Sequence, residues 1–196
     1  MWCCLRPEAK PWPNAVAGFV DSLTLAVAGT ATAQGAPSQN LTLPGDRNFI
    51  LQIDPGERWA RLAVHAAIGG AFRRLASPGC RQVFSDFTDE NGRTLLENLE
   101  ATGQTAQGYL GLLRYADGAG QAPCARPGIM AFTSPGQRII YVCGVFRERF
   151  LSLRRTDRED LEIAVLHEVL HTLGLRENPP TPRQITDQVR LRCDNR

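Results

Sequence analysis

The sequence is poor in histidine, methionine and aromatic residues, and neither sign of charge predominates. Its 196 residues include 3 histidines and 2 methionines, and aromatic residues make up 7%. The formal net charge is only +2, which argues against nucleic acid or another polyanion as a partner. Beyond residue 33 no apolar run is long enough to span a bilayer, so we expect no stable membrane insertion.

Two common catalytic motifs are also missing. No serine lies in a G-x-S-x-G turn, which disfavours chymotrypsin-like chemistry, and no glycine-rich phosphate loop is present. What remains is 43% hydrophobic and 21% charged, which is typical of a soluble globular protein. The length allows one domain with its own core, and we expect a monomer.

The start of the chain has the pattern of an exported protein. Arg6 and Lys10 precede a mainly apolar run over residues 15–30, and residues 31–33 (Ala-Thr-Ala) form the small-x-small pattern that a signal peptidase accepts. We therefore predict a signal peptide at 1–33. The alternative is a loosely packed N-terminal segment.

Cleavage after Ala33 would divide the chain into three parts. A Gly/Ser/Pro-rich stretch makes 34–54 a linker or N-terminal extension. The remaining residues, 55–196, are then expected to form a single globular domain that carries any catalytic site.

Cysteine usage agrees with an oxidising compartment. Four cysteines follow residue 33, widely spaced and without any Cys-x-x-Cys pair: Cys80, Cys124, Cys143 and Cys193. An even number at such spacing predicts two disulfides in a secreted or periplasmic protein. Of the three possible pairings we prefer Cys80 with Cys124 and Cys143 with Cys193. Free thiols buried in a cytosolic protein are the alternative.

Hydrophobic spacing and turn residues predict the elements before residue 145. We predict helices over 55–76, 93–101 and 105–115, a short strand over 82–87, a turn at 89–92 and a loop at 123–128. Two further strands, 129–133 and 138–143, flank the turn at 134–137 and should form a hairpin.

Capping patterns predict two later helices. Residues 156–159 (Thr-Asp-Arg-Glu) form a capping box, which predicts a helix over 157–173 that Gly174 ends in the left-handed conformation. Residues 181–184 (Thr-Pro-Arg-Gln) form a second capping box and should begin a final helix that runs towards Arg192.

The first of these helices contains the stretch HEVLH at residues 167–171. His167 and His171 are one helical turn apart, so their imidazoles project from the same face and can hold one metal ion. Glu168 follows the first of them by one residue. It can therefore reach a metal-activated water without coordinating the metal, which is the position that a general base needs.

A catalytic zinc site usually takes three protein ligands. Glu177 stands six residues after His171, beyond the chain reversal that Gly174 permits, and its carboxylate suits zinc. We predict that Glu177 is the third ligand. The alternative is a surface carboxylate preceding the two prolines.

Other polar residues are weaker candidates for the site. His65 lies among Ala and Val residues, and we interpret it as a core histidine with its hydrogen bonds satisfied rather than a ligand. Asp160 and Glu162 are interpreted as solvated helix surface. Tyr141 and Arg183 are candidates for stabilising an oxyanion.

The motif bears a resemblance to a known group of enzymes. Residues 167–177 read HEVLHTLGLRE, or HExxHxxGxxE, which is similar to the long zinc signature of the metzincin clan of peptidases. In that clan a glycine turn brings a third ligand back to the metal. Most members have His where this chain has Glu177, although snapalysin-like members have Asp. Metzincins also have a methionine turn after the motif, and no methionine follows Glu177.

A second resemblance covers more of the chain. Residues 80–193, with the segments AFTSPG, HExxHxLGLxENPP and ITxxVxxRC, look like a group of uncharacterised bacterial secreted proteins regarded as metallopeptidases. This resemblance implies a bacterial protein that is secreted or periplasmic. It carries no particular substrate with it.

Together these patterns predict a zincin-like α+β fold. We expect a small mixed sheet, a long backing helix, an active-site helix and a C-terminal helix. The expected function is that of a Zn²⁺-dependent endopeptidase acting on a peptide or protein substrate, which the edge of the hairpin accepts as an added strand. The alternatives are a catalytically inactive zincin-like metal-binding or interaction module, and an amidase acting on cell-wall material.

Overall fold

The computed structural model describes residues 52–53 and 58–194. Within this part of the chain, seven α-helices and a four-stranded mixed sheet form an α+β fold. The predicted signal peptide at 1–33 lies outside the described residues, as does most of the predicted linker at 34–54. Gln52–Ile53, at the end of that linker, form a strand of the sheet instead.

The sheet is built from short strands. These are β1 (Gln52–Ile53), β2 (Arg114–Asp117), β3 (Ala131–Phe132) and β4 (Ile139–Val142), in the order β1-β2-β4-β3. The first three in that order run parallel, whereas β3 is antiparallel to β4 and lies at an edge. The predicted hairpin is therefore confirmed, although its paired residues are fewer than predicted.

Helices surround this sheet. They are α1 (Arg58–Leu75), α2 (Pro78–Arg81), α3 (Leu95–Glu100), α4 (Ala106–Gly111), α5 (Gly144–Leu151), α6 (Arg155–Thr172) and α7 (Pro182–Cys193). The two longest helices, α1 and α6, pack against each other, and α7 packs on α6. The predicted backing helix, motif helix and final helix are confirmed. None of the described helices is long and apolar enough to cross a membrane.

Close packing of α1 on α6 depends on a glycine. A Cβ at Gly70 would lie only 2.1 Å from the carboxyl group of Glu162, so the carboxyl group occupies the space that a side chain would take. Glu162 accepts a hydrogen bond of 2.7 Å from Arg74, which also donates to the carbonyl of Cys193. The interpretation of Glu162 as solvated surface is wrong, because its side chain is only 17% exposed.

Two of the predicted elements are wrong in type or length. Residues 82–87 are not a strand: α2 leads into a single 3₁₀ turn at Gln82–Phe84, which buries Val83 and Phe84. The helix predicted over 105–115 ends at Gly111. Tyr115 instead lies in β2, where it pairs with Ile140 and is buried. Tertiary packing and strand pairing outweigh local propensity at both places.

The two predicted capping boxes have different outcomes. The box at Thr181 is confirmed, because its hydroxyl accepts from the Gln184 N–H and the Gln184 side chain accepts from the Thr181 N–H. The box at 156–159 is wrong. Helix α6 begins earlier, at Arg155, and the Glu159 carboxylate accepts from the Arg155 guanidinium instead of from a backbone N–H.

Two disulfides are present in the part of the chain that the structure describes, but not in the preferred pairing. Cys80 is bonded to Cys193 and Cys124 to Cys143, with Cα–Cα distances of 4.3 and 5.2 Å. Helix α2 packs against α7, which brings Cys80 to the end of that helix. Cys143 follows β4 directly and meets the 3₁₀ turn that contains Cys124. The preferred pairing was wrong because the bonded cysteines are brought together by contacts between elements, and the spacing of cysteines in the sequence does not show these contacts.

Candidate metal centre

Three potential ligands meet at the C-terminal half of α6. His167 and His171 are both buried, and their Nε2 atoms lie 3.1 Å apart. Oε1 of Glu177 lies 3.4 Å from Nε2 of His171 and 3.9 Å from Nε2 of His167. The structure therefore brings together the three residues that the sequence singled out, and this group can hold a metal ion.

The spacing of the three donor atoms fits a tetrahedral ion. Bonds of about 2.0–2.1 Å at tetrahedral angles place neighbouring ligand atoms about 3.3 Å apart. The two imidazole nitrogens are already near that separation. The Glu177 carboxylate would have to approach His167 by roughly half an ångström, which its 39% exposed side chain leaves room to do.

Hydrogen bonds to the other ring nitrogens set the direction of the lone pairs. Nδ1 of His171 lies 2.8 Å from the carbonyl oxygen of Leu175, which can only accept, so Nδ1 carries the proton. Nδ1 of His167 lies 3.0 Å from the hydroxyl of Thr186 on α7, which can accept in the same way. Both Nε2 lone pairs then point at each other, an arrangement that a shared cation stabilises.

His167 also has the protonation state that a metal ligand needs. Burial, together with the neighbouring His171, lowers the pKa of His167 to about 3. The imidazole is therefore neutral at physiological pH. A neutral ring is the form that coordinates a metal ion.

A glycine turn returns the chain to the two histidines. Gly174 has a φ of +107°, and a Cβ there would lie 3.3 Å from the side chain of Asp89. The N–H of Gly174 donates to the His171 carbonyl, and Asn98 donates to the Leu173 carbonyl. The predicted end of the helix is confirmed, and the turn explains how Glu177 reaches the histidines.

Glu168 is buried beside this group but is not part of it. One oxygen of its carboxyl group accepts from the backbone N–H of Thr133, which follows β3. The other, Oε2, is buried and has no hydrogen-bond partner among residues 52–53 and 58–194. Such an atom is costly to bury unless something outside the protein completes its hydrogen bonding, as a water molecule or a substrate would.

The surroundings of Glu168 also change its acidity. Burial is the main cause, and the nearby Glu177 the second, of a rise in the pKa of Glu168 to about 8, which the Thr133 N–H partly opposes. A cation held by Glu177 and the histidines would favour the ionised form and lower this pKa again.

The site opens into a cleft of about 780 Å³. Helices α6 and α7 form one wall, and β3 with the loop before it forms the other. Three arginines line the cleft and were not predicted from the sequence: Arg126, Arg176 and Arg190. No local pattern distinguishes them from other surface arginines, so only the fold reveals their position.

Asp160, at one end of the cleft, is not the solvated residue that the sequence predicted. Its side chain is 22% exposed and is held by Arg149 at 2.7 Å and by Arg190 at 2.6 Å. Arg190 in turn lies one turn after Thr186 on α7. A carboxylate bound by two guanidinium groups is part of the cleft wall.

Three other candidates lie outside the metal group. His65 is half-buried on α1, and its Nε2 lacks a hydrogen-bond partner, so it is neither a ligand nor a fully satisfied core residue. Tyr141 stacks on Phe132, with ring centroids 5.0 Å apart. Arg183 is 91% exposed and pairs with Asp187. Neither Tyr141 nor Arg183 is among the residues that line the cleft.

The donor set indicates which chemistry the site can support. Two imidazole nitrogens and one carboxylate oxygen leave a tetrahedral ion one open position, as in catalytic zinc sites. Among residues 52–53 and 58–194, this is the one group of three such side chains close enough to share an ion. No protein-family model matches the chain, and no curated protein or solved structure is significantly similar to it.

Proposed function

We propose that this chain is a zinc-dependent endopeptidase of the zincin type, exported by a bacterium. In this proposal His167, His171 and Glu177 hold the zinc ion and Glu168 acts as the general base. One observation carries it: Glu168 lines the cleft with three side chains that can share a metal ion, and one of its oxygens is buried without a hydrogen-bond partner among the described residues. A site that held metal only for stability would have no use for that carboxylate.

Glu168 moves the proton in the proposed reaction. Zinc held by His167, His171 and Glu177 would supply Lewis acidity, polarising the scissile carbonyl and lowering the pKa of a water molecule towards about 7. Oε2 of Glu168 accepts a proton from the attacking water as the new C–O bond forms. The same oxygen then donates this proton to the leaving nitrogen as the C–N bond breaks. The Thr133 N–H holds the other oxygen and so fixes the carboxyl group.

The edge strand β3 supports a peptide as the substrate. Backbone groups alternate in direction along a strand, and the Thr133 N–H points into the cleft towards Glu168. The N–H and C=O of Ala131, two residues earlier, therefore face the cleft as well. An extended peptide can pair with Ala131 as an added strand, which places its backbone beside the metal group.

The zincin type is proposed on the motif and its surroundings. The chain after Glu177 forms α7 where metzincins have a methionine turn, and Thr186 of that helix supports His167. The two disulfides are compatible with an exported protein, because such bonds persist in oxidising compartments.

The test combines metal analysis with proteolysis. We expect the purified protein to hold one zinc ion per chain and to cleave unfolded casein or a mixed peptide library, with loss of activity in a chelator. The matched variant is Glu168→Gln, which should keep zinc and lose activity by about 10³-fold or more, because the amide cannot accept the proton.

Other outcomes would identify the alternatives. Hydrolysis of cell-wall amides but not of peptides would indicate an amidase. Bound zinc without hydrolysis of either substrate would indicate an inactive binding module. A protein that purifies without metal, or a Glu168→Gln variant with full activity, would overturn the assignment of the site.

A further inference from the structure

A group of charged side chains occupies one end of the cleft, away from the metal group. Each oxygen of Asp160 is held by a different arginine, Oδ1 by Arg190 and Oδ2 by Arg149. Arg149 also lies 3.4 Å from Asp157. Arg126, on the loop before β3, lines the same cleft. Asp160 is thus paired with two guanidinium groups, and Arg126 adds a further positive charge to the lining of the cleft.

Arg190 retains hydrogen-bonding capacity for a ligand. Only its Nη2 contacts Asp160, and its side chain is 45% exposed. Nε and Nη1 have no hydrogen-bond acceptor within the part of the chain that the structure describes. Asp160 holds the guanidinium in place while these donors remain available. A fixed guanidinium with unused N–H groups is suited to binding a carboxylate.

The distance from the metal group to this end can be read from the helices. Asp160 lies seven residues before His167, which is two turns of α6, or about 10 Å. Arg190 lies one turn after Thr186, whose hydroxyl contacts His167. An extended peptide rises about 3.3 Å per residue, so it covers this distance in about three residues.

The direction of β3 determines which part of a substrate reaches the arginines. The Thr133 N–H binds Glu168 and the Gly136 N–H binds the His171 carbonyl, so the hairpin and α6 advance in the same direction. The start of β3 therefore lies towards Asp160, and Arg126 lines the cleft on the loop that leads into this start. A peptide added antiparallel to β3, as β4 is on the other side, runs the opposite way. Its residues after the scissile bond then extend towards the arginines.

On the basis of the proposed peptidase function, we propose that Arg126 and Arg190 form a carboxylate-binding subsite. The subsite takes a carboxylate at the third residue on the leaving-amine side of the scissile bond. The carboxylate is either an acidic side chain or the C-terminus of the substrate. The chain is thus a peptidase that prefers acidic sequences or cleaves close to a free C-terminus.

The test compares peptides that differ by one charge. One pair carries Glu or Gln at the third position after the scissile bond, with a blocked C-terminus. A second pair ends at that position as a free acid or as an amide. We expect the charged member of at least one pair to have a kcat/KM about tenfold higher, the effect of one charge-assisted hydrogen bond. The pair that responds shows which source of carboxylate is used.

Variants assign the preference to the two arginines. In Arg126→Gln and in Arg190→Gln the ratio between charged and neutral peptides should fall towards one. Arg183→Gln is the matched control, because Arg183 lies on α7 outside the cleft, and its ratio should equal that of the wild type. Equal kcat/KM values within both pairs of peptides for the wild type would overturn the subsite and leave the peptidase function intact.

A binding measurement keeps the two proposals separate. If no peptide is cleaved, the peptidase proposal fails, and the affinity of the zinc-loaded Glu168→Gln variant for the same peptides tests the subsite. Tighter binding of the charged peptide, lost on adding Arg190→Gln, would support the subsite. Equal affinities for charged and neutral peptides would overturn it.

Discussion

The two walls of the cleft are built in different ways. The helical wall consists of α6 and α7, which run for 18 and 12 residues, and it carries both histidines and Thr186. The opposite wall consists of the two-residue strand β3, the loop before it and the start of the turn after it. Long buried helices fix the metal-binding atoms, whereas a short strand and a loop present backbone groups. The comparison suggests that metal binding and peptide binding can be disturbed separately.

The largest expected effect is the loss of zinc binding and activity when a ligand on the helical wall is removed. His171→Ala should abolish zinc binding and activity, because it removes one of three ligands and its contact with Leu175. His65→Ala is the matched control, because His65 is the third histidine of the chain and does not belong to the metal group. It should keep one zinc ion per chain. Metal analysis of both proteins decides the point, and a zinc-free His65→Ala protein that is still folded would contradict the assignment.

Each wall has its own disulfide, and removing them should have different results. The Cys80–Cys193 bond closes 113 residues and holds the end of α7, whereas Cys124–Cys143 closes 19 residues beside the strand wall. From loop-closure entropy, replacing each pair by Ser should lower the free energy of unfolding by about 5 and about 3 kcal/mol respectively. Chemical denaturation measures both values.

Peptide kinetics sharpen the comparison between the disulfides. Loss of Cys124–Cys143 should raise KM for peptides while zinc affinity is kept, because the loop that carries Arg126 loses its attachment to β4. Loss of Cys80–Cys193 should weaken zinc binding more than it changes KM. The reverse result would show that the two walls do not act separately.

A smaller effect is expected at the hydroxyl that supports His167. Thr186→Val removes the partner of Nδ1 with little change in volume, and such outer hydrogen bonds typically contribute about tenfold or more to metal affinity. A zinc competition assay should show this loss. Thr181→Val, at the start of the same helix, should lower stability without changing zinc affinity, because that hydroxyl caps α7.

The smallest expected effect is a pH dependence of the metal-free protein. The pKa of Glu168 is raised from 4.5 to about 8, so its contribution to stability is fully present below pH 4.5 and is lost as the pH rises through 8. Thermal unfolding in a chelator should therefore show that Glu168→Gln gains in Tm relative to the wild type between pH 5 and 8. A constant difference in Tm over this range would contradict the raised pKa.

The sequence predicted the site better than the tertiary contacts around it. His167, His171, Gly174 and Glu177 lie within eleven residues, so helical geometry places the two histidines together and the turn at Gly174 returns Glu177 to them. The hairpin and the capping box at Thr181 also depend on residues that are close together in the sequence. These features could be predicted because each depends on residues only a few positions apart.

Apart from the local capping box at 156–159, which was wrong, the errors at the site and in the disulfides concern contacts between distant residues. The disulfide pairing depends on α2 meeting α7, and the role of Thr186 depends on α7 crossing α6. Asp160 and Glu162 have the composition of exposed helix surface, yet arginines from other helices bury both. No local pattern encodes these partners, so they could not be predicted from the sequence alone.

The contact between Gly70 and Glu162 has a consequence for how the two long helices are spaced. In an isolated helix, alanine is more favourable than glycine by about 1 kcal/mol. In the folded chain, an alanine methyl group would overlap the Glu162 carboxyl group, so helix propensity and packing act in opposite directions here. The missing side chain leaves room between α1 and α6 for the Glu162 carboxyl group. A side chain at position 70 would displace this carboxyl group and with it the acceptor of Arg74, the residue that joins α1 to the last turn of α7.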